Sequence, residues 1–255
     1  MRIINSIRNL SRFEGCLWIF SLLVIAVSFM ITKDRNYLML FNSLIGVTSL
    51  IFAAKADVLG PVLMVAFSII YVIISLSFRY YGEMLTYLLM TLPMSVMSVI
   101  SWLKHPSSQN KSEVEVNYIK HKEVGLMAAA AIAVTIVFYF ILKSFDTNSL
   151  MLSTVSVTTS FFAAYLTFRR SPFYALAYAA NDLVLIFLWI IATLANSVYL
   201  PVAICFVMFF VNDIYGFINW NKISKRQKAR IYLEPNEDSL RAAKEILSKN
   251  CSIKI

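Results

Sequence analysis

Charged side chains make up only 15% of the 255 residues, against 59% that are apolar. A water-soluble surface needs far more charge to stay dispersed, which excludes an ordinary soluble domain. Histidine is almost missing. The two that occur, His105 and His121, fall in one polar loop, and Cys16, Cys205 and Cys251 are scattered, so neither a disulfide framework nor metal-ligand spacing is present. No Walker-type glycine-rich loop exists, and no Ser or Cys nucleophile stands near a base. ATP-driven transport by this chain, metal chemistry and covalent catalysis are therefore unsupported; no cofactor and no enzymatic activity are expected.

What is abundant is long apolar sequence. Eight runs stand out, at 16–32, 37–54, 59–77, 84–102, 124–142, 149–168, 173–195 and 198–220. Each is long enough to cross a hydrocarbon core of about 30 Å at 1.5 Å per residue. Backbone groups cannot stay unpaired in lipid, so each run is read as a helix. The expected fold class is an all-α integral membrane protein with about eight transmembrane helices.

The net charge of +9 follows the membrane geometry and needs no nucleic acid to explain it. With the N-terminus inside, Arg2, Arg8, Arg12, Lys55, Lys104, Lys111, Lys120, Lys122, Arg169, Arg170, Lys222, Lys225, Arg226, Lys228 and Arg230 are all cytoplasmic. Only Lys33, Arg35, Arg79 and Lys143 lie outside. This asymmetry places both termini in the cytoplasm of a multi-pass protein of the cell membrane. The first run has a small-residue pattern, Ala26-Val27-Ser28, that would suit a signal peptide. Its length and the charged turn leading straight into a second span favour a retained helix.

The polar loop 103–123 divides the chain into comparable halves. VTSLIFAAK (47–55) lines up with VTTSFFAAY (157–165), and the third span of each half ends in a tryptophan, Trp102 or Trp220. Both triplets then start outside and finish inside, the arrangement of a parallel repeat. The expected organisation is a cytoplasmic N-terminus and extra first helix (1–36), a three-helix repeat (37–102), a loop and linker helix (103–148), a second repeat (149–220) and a basic tail (221–255). A short helix is expected after Pro235.

Amide and ionisable groups inside spans are costly, and they mark pathways or helix contacts. In VNDIYGFINW, Asn212, Tyr215 and Asn219 share a stripe that leads to Trp220. On the seventh span Tyr178, Asp182 and Trp189 share a face, with Asn181 one step round. Pro93 is expected to kink the fourth span and bring Ser95 to similar depth, with Trp102 at its end. Asn42 is read as a helix contact. Aromatic rings plus amides without arginine suit a neutral or cationic ring-containing solute and not a phosphorylated one. The stripe in VNDIYGFINW is expected to form one wall of that site.

NDIYGFINW, RYYGEMLTYLLMTLPM (79–94) and SLIGVTSLIFAAK occur in the order of three motifs of the PnuC-type nicotinamide riboside transporters, and residues 40–220 resemble that family. The resemblance implies a 3+1+3 fold shared with SWEET sugar transporters, a homotrimer, and facilitated diffusion of a vitamin B3 nucleoside. It also implies a functional link to a cytosolic kinase that traps the solute by phosphorylation. Ser95 replaces a glutamine of the family pattern, and residues such as Tyr174 and Ala177 replace its tryptophans. Relatives of the same fold carry thiamine, riboflavin or deoxynucleosides, which stand as alternatives beside a non-transporting scaffold.

Overall fold

The structure, a computed structural model, describes residues 10–31, 37–77, 81–108, 110–147 and 149–233. Arg2, Arg8, the turn holding Lys33 and Arg35, Arg79, the helix expected after Pro235 and Cys251 lie outside the described residues. Within them the chain is helical, with eight helices long and apolar enough to span a membrane. They are α1 (Arg12–Ile31), α2 (Tyr37–Ala54), α3 (Leu59–Ser77), the composite α4, α5 (His121–Ser144), α6 (Leu150–Phe168), α7 (Tyr174–Ala195) and α8 (Leu200–Leu233). The chain is a multi-pass membrane protein.

Many polar residues of the spans serve their own helix. Ser21, Ser43, Thr48, Ser68, Ser98, Thr135 and Thr193 each donate to the carbonyl four residues back, which satisfies a hydroxyl without water. α1 begins with a capping box: the Ser11 amide donates to Glu14 Oε2 at 2.6 Å and the Glu14 amide to Ser11 Oγ at 3.2 Å. α4 consists of Tyr81–Thr86, a π-helical turn Tyr87–Thr91 and Leu92–Lys104. Pro93 has no N–H for the ladder, and the wide turn just before it accommodates that loss. α8 runs well past Trp220, so the basic sequence as far as Leu233 continues the last span.

The turns after α2 and α6 have the same construction. Ala56 and Arg170 are both left-handed, with φ of 57° and 56°. The Ala56 and Asp57 amides donate to Ala53 O and Phe52 O, and the Arg170 and Ser171 amides to Thr167 O and Leu166 O. This geometry pairs Ala53 with Thr167. The sequence match pairs Ala53 with Ala163, four positions or about one helical turn earlier. Gly60 lets α3 start against α2: a Cβ there would lie 2.5 Å from the Ala53 nitrogen.

Candidate functional site

The end of the bundle that carries residues 105–120 is closed. Trp102, Trp220 and Tyr174 are buried there, with ring centroids 5.5 Å apart for Trp102–Trp220 and 4.9 Å for Tyr174–Trp220. The 105–120 loop straps over them. The Val114 amide donates to Ala56 O, the Val116 amide to Gln227 Oε1, and Gln227 Nε2 to Val114 O. Tyr118 bonds Ser224, and Lys228 lies 3.8 Å over the Tyr118 ring. Arg226 pairs with Glu113 and Arg169 with Glu123, which holds the Arg169 guanidinium further above its usual pKa. Burial lowers that of Arg170, whose Nε and Nη1 have no acceptor.

The opposite end holds a cavity of 540 Å³ between α4, α5, α6 and α7. Its wall includes a column of hydroxyls from the start and first turns of α6 (Ser149 just before it, then Ser153, Ser156 and Ser160), the rings of Tyr87, Trp189 and Tyr199, and the carboxyls of Glu83 and Asp146. Among the described residues no Lys, Arg or His lines it. Trp189 packs against Tyr199 at 5.6 Å, and Tyr71 against Tyr87 at 4.2 Å.

Below the cavity α6 and α7 are joined by one amide. Asn181 Oδ1 accepts from Thr159 Oγ1 at 2.8 Å, Ser160 Oγ at 3.0 Å and Ser156 Oγ at 3.3 Å. Two of these donors are cavity-wall residues, so Asn181 sits immediately behind the wall. One step on, Asp182 of α7 faces Asp213 of α8, and both are buried. Among the described residues Asp182 Oδ2 has no hydrogen-bond donor. Nearer the closed end, Tyr178, Ser95, Ser98 and Tyr174 surround a void of only 20 Å³.

The VNDIYGFINW stripe takes a different place from the expected wall. Asn212 Nδ2 donates to Ser21 Oγ at 3.0 Å and to Met208 O at 2.8 Å. Tyr215 Oη donates to Glu14 Oε1 at 2.9 Å, and the same carboxyl accepts from Lys55 Nζ at 3.2 Å. Asn219 Nδ2 donates to Ala54 O at 2.9 Å and Trp220 Nε1 to Ala53 O at 2.8 Å; Trp102 Nε1 donates to Thr167 O at 2.9 Å. None of Asn212, Tyr215, Asn219, Trp220 and Trp102 lines the cavity or the void. Their polar atoms join α8 to α1 and α2, and α4 to α6, because in lipid a donor that faces a neighbouring helix takes the carbonyl or hydroxyl it meets there. Of the ten residues singled out from sequence, Trp189 lines the cavity, Asn181 backs it, and Tyr178 and Ser95 meet at the void. Glu83 and Tyr87 were missed. Both stand in RYYGEMLTYLLMTLPM, and a carboxyl at the edge of an apolar run was the available signal.

A family model described as nicotinamide mononucleotide transporter matches residues 36–222. The chain belongs to this family. It is similar to the nicotinamide riboside transporter PnuC of Neisseria mucosa (strain ATCC 25996 / DSM 4631 / NCTC 10774 / M26), with 25% identity over 224 residues, 86% of this chain and 85% of that one. The crystal structure of the vitamin B3 transporter PnuC superposes with a TM-score of 0.74 at 26% identity, covering 86% of this chain and 94% of the other. Within the nicotinamide mononucleotide transporter family the chain is thus a PnuC-type membrane transporter and not an enzyme.

Proposed function

We propose that the protein carries nicotinamide riboside across the cell membrane by facilitated diffusion, with phosphorylation by a cytosolic kinase drawing uptake forward. The observation that carries this reading is the 540 Å³ cavity, open on aromatic rings, hydroxyls and carboxyls at one end of a bundle whose other end is sealed by Trp102, Trp220 and Tyr174. The volume falls within the roughly 300–1,000 Å³ of small-molecule sites. Aromatic faces suit the nicotinamide ring, and the serine column suits ribose hydroxyls. Among the described residues no Lys, Arg or His lines the cavity, which argues for the riboside and against the mononucleotide, whose phosphate would want arginine.

In this reading the solute enters between Trp189 and Tyr87, passes Asn181 and Asp182, reaches the level of Tyr178 and Ser95, and leaves when the tryptophan seal opens. The two three-helix units, each ending in one of those tryptophans, act as repeats that rock against each other. They are assembled as a homotrimer, with both termini in the cytoplasm. A second reading, a different vitamin or nucleoside such as cationic thiamine, is favoured by the departures at Ser95, Tyr174 and Ala177.

Titrating the purified protein with nicotinamide riboside, nicotinamide mononucleotide, thiamine, riboflavin and a deoxynucleoside, followed by tryptophan fluorescence, tests both. Tightest binding of the riboside supports the first reading. Tightest binding of thiamine or another panel member replaces it with the second.

A further inference from the structure

The cavity is one-signed as well as aromatic. Glu83 and Asp146 contribute carboxyls, and among the described residues no Lys, Arg or His answers them across the space. Asp146 belongs to an exposed turn, where water screens it. Glu83 is different: it lies half-buried on α4, and its Oε2 accepts a hydrogen bond from Tyr71 Oη at 3.3 Å. Tyr71 is itself fixed by ring packing, stacked on Phe67 with centroids 5.6 Å apart and tilted against Tyr87 at 4.2 Å.

One phenol does not satisfy a carboxylate, which has about four acceptor positions. A half-buried carboxyl at the end of a membrane span normally pairs with a cation or a further donor, and the cavity beside Glu83 is where such a partner has room. The rings of Tyr87 and Trp189 line the same space and present faces that attract a flat delocalised cation. The hydroxyl column that also lines the cavity adds neutral acceptors and no positive charge.

We infer that Glu83, oriented by Tyr71, is the counter-ion that makes this cavity select a cationic aromatic ring over a neutral ring of the same shape. The inference rests on the riboside reading above and deepens it by naming the residue that reads the charge. Nicotinamide riboside carries its positive charge in the pyridinium ring. Its 1,4-dihydro form has nearly the same outline and is neutral, so the pair isolates charge from shape. Glu83 is a specificity residue for binding and takes no part in any chemical step.

The test is equilibrium binding of both forms to the full-length protein, in the parent, Glu83→Gln, Glu83→Asp and Tyr71→Phe. The parent is expected to prefer the cationic form by about tenfold or more, the scale of one partly screened charge pair. Glu83→Gln should bring that ratio close to one mainly by weakening the cationic form, Glu83→Asp should recover much of it, and Tyr71→Phe should give an intermediate ratio. If Glu83→Gln does not fold, the parent ratio and the Tyr71→Phe ratio still decide. A parent that binds both forms equally, or a Glu83→Gln protein that keeps the parent's ratio, overturns the counter-ion while leaving the riboside reading standing. A parent that binds neither form overturns both.

Discussion

Trp102 and Trp220 lie with ring centroids 5.5 Å apart at the sealed end, and each donates its indole N–H to a carbonyl at the end of the other's opposing helix. Trp102 bonds Thr167 O of α6, and Trp220 bonds Ala53 O of α2. The residue before each tryptophan donates to the next carbonyl along: Ser101 to Phe168 O and Asn219 to Ala54 O. Ala54 O and Phe168 O, which a helix C-terminus would leave open, are thereby satisfied by the other half of the bundle, and Ala53 O and Thr167 O, already held by the Ala56 and Arg170 amides, gain a second donor. Opening this end breaks the same four bonds, which fits the seal as the place where a rocking motion is resisted.

Trp220→Phe keeps a ring and removes only the indole donor. It should remove one of the two donors to Ala53 O and leave the Ala56 amide in place, at a cost of about 0.5–1.5 kcal/mol. A lowered unfolding temperature in detergent, larger than that of Trp18→Phe at the half-buried first helix, checks this.

Asn212 and Tyr215 contact Ser21 and Glu14 of α1. Asn212→Ala and Tyr215→Phe should therefore act on stability, at about 1–3 kcal/mol for the buried amide and less for the phenol. Affinity for the best panel ligand should change by less than about threefold. An Asn212→Ala protein of parent stability that binds ten times more weakly would return this stripe to the solute site.

The helices were legible because lipid imposes length: a run of suitable length without backbone partners has one outcome, and the eight runs emerged as eight helices among the described residues. The direction of a polar stripe was not legible. Asn212 and Asn181 look alike in sequence, each an amide within a span. One bonds Ser21 on α1 and the other gathers three hydroxyls of α6, and only the neighbouring helix distinguishes them. Asp213 lies toward the end of its apolar run, yet it is buried near Asp182 of the neighbouring helix, a juxtaposition that no spacing along either helix encodes. Glu83 stands where an apolar run begins, so sequence places it at the membrane surface; packing of the first segment of α4 against α3 and α5 turns it into the cavity.

The Asp182–Asp213 pair is a natural place to look for proton coupling, since buried carboxyls are common relays. Facilitated diffusion requires that the pair exchange no proton with either side during transport. Uptake into vesicles by the parent should be unchanged when a proton gradient is imposed, and Asp182→Asn should show the same indifference. Gradient-driven uptake in the parent that disappears in Asp182→Asn would make the pair a coupling site.

The charge asymmetry predicts a cytoplasmic C-terminus. A reporter fused after Ile255 that fluoresces only in the cytosol should be active, and one that requires export should be silent. The reverse result inverts the orientation and turns the 540 Å³ cavity toward the cytoplasm.

The central claim is passive carriage of the riboside, and uptake of labelled nicotinamide riboside into liposomes holding only the purified protein tests it most directly. The account predicts saturable uptake that stops when inside and outside concentrations are equal, and net accumulation only after a riboside kinase and ATP are enclosed. No uptake above protein-free liposomes, or accumulation beyond equality without the kinase, would contradict it.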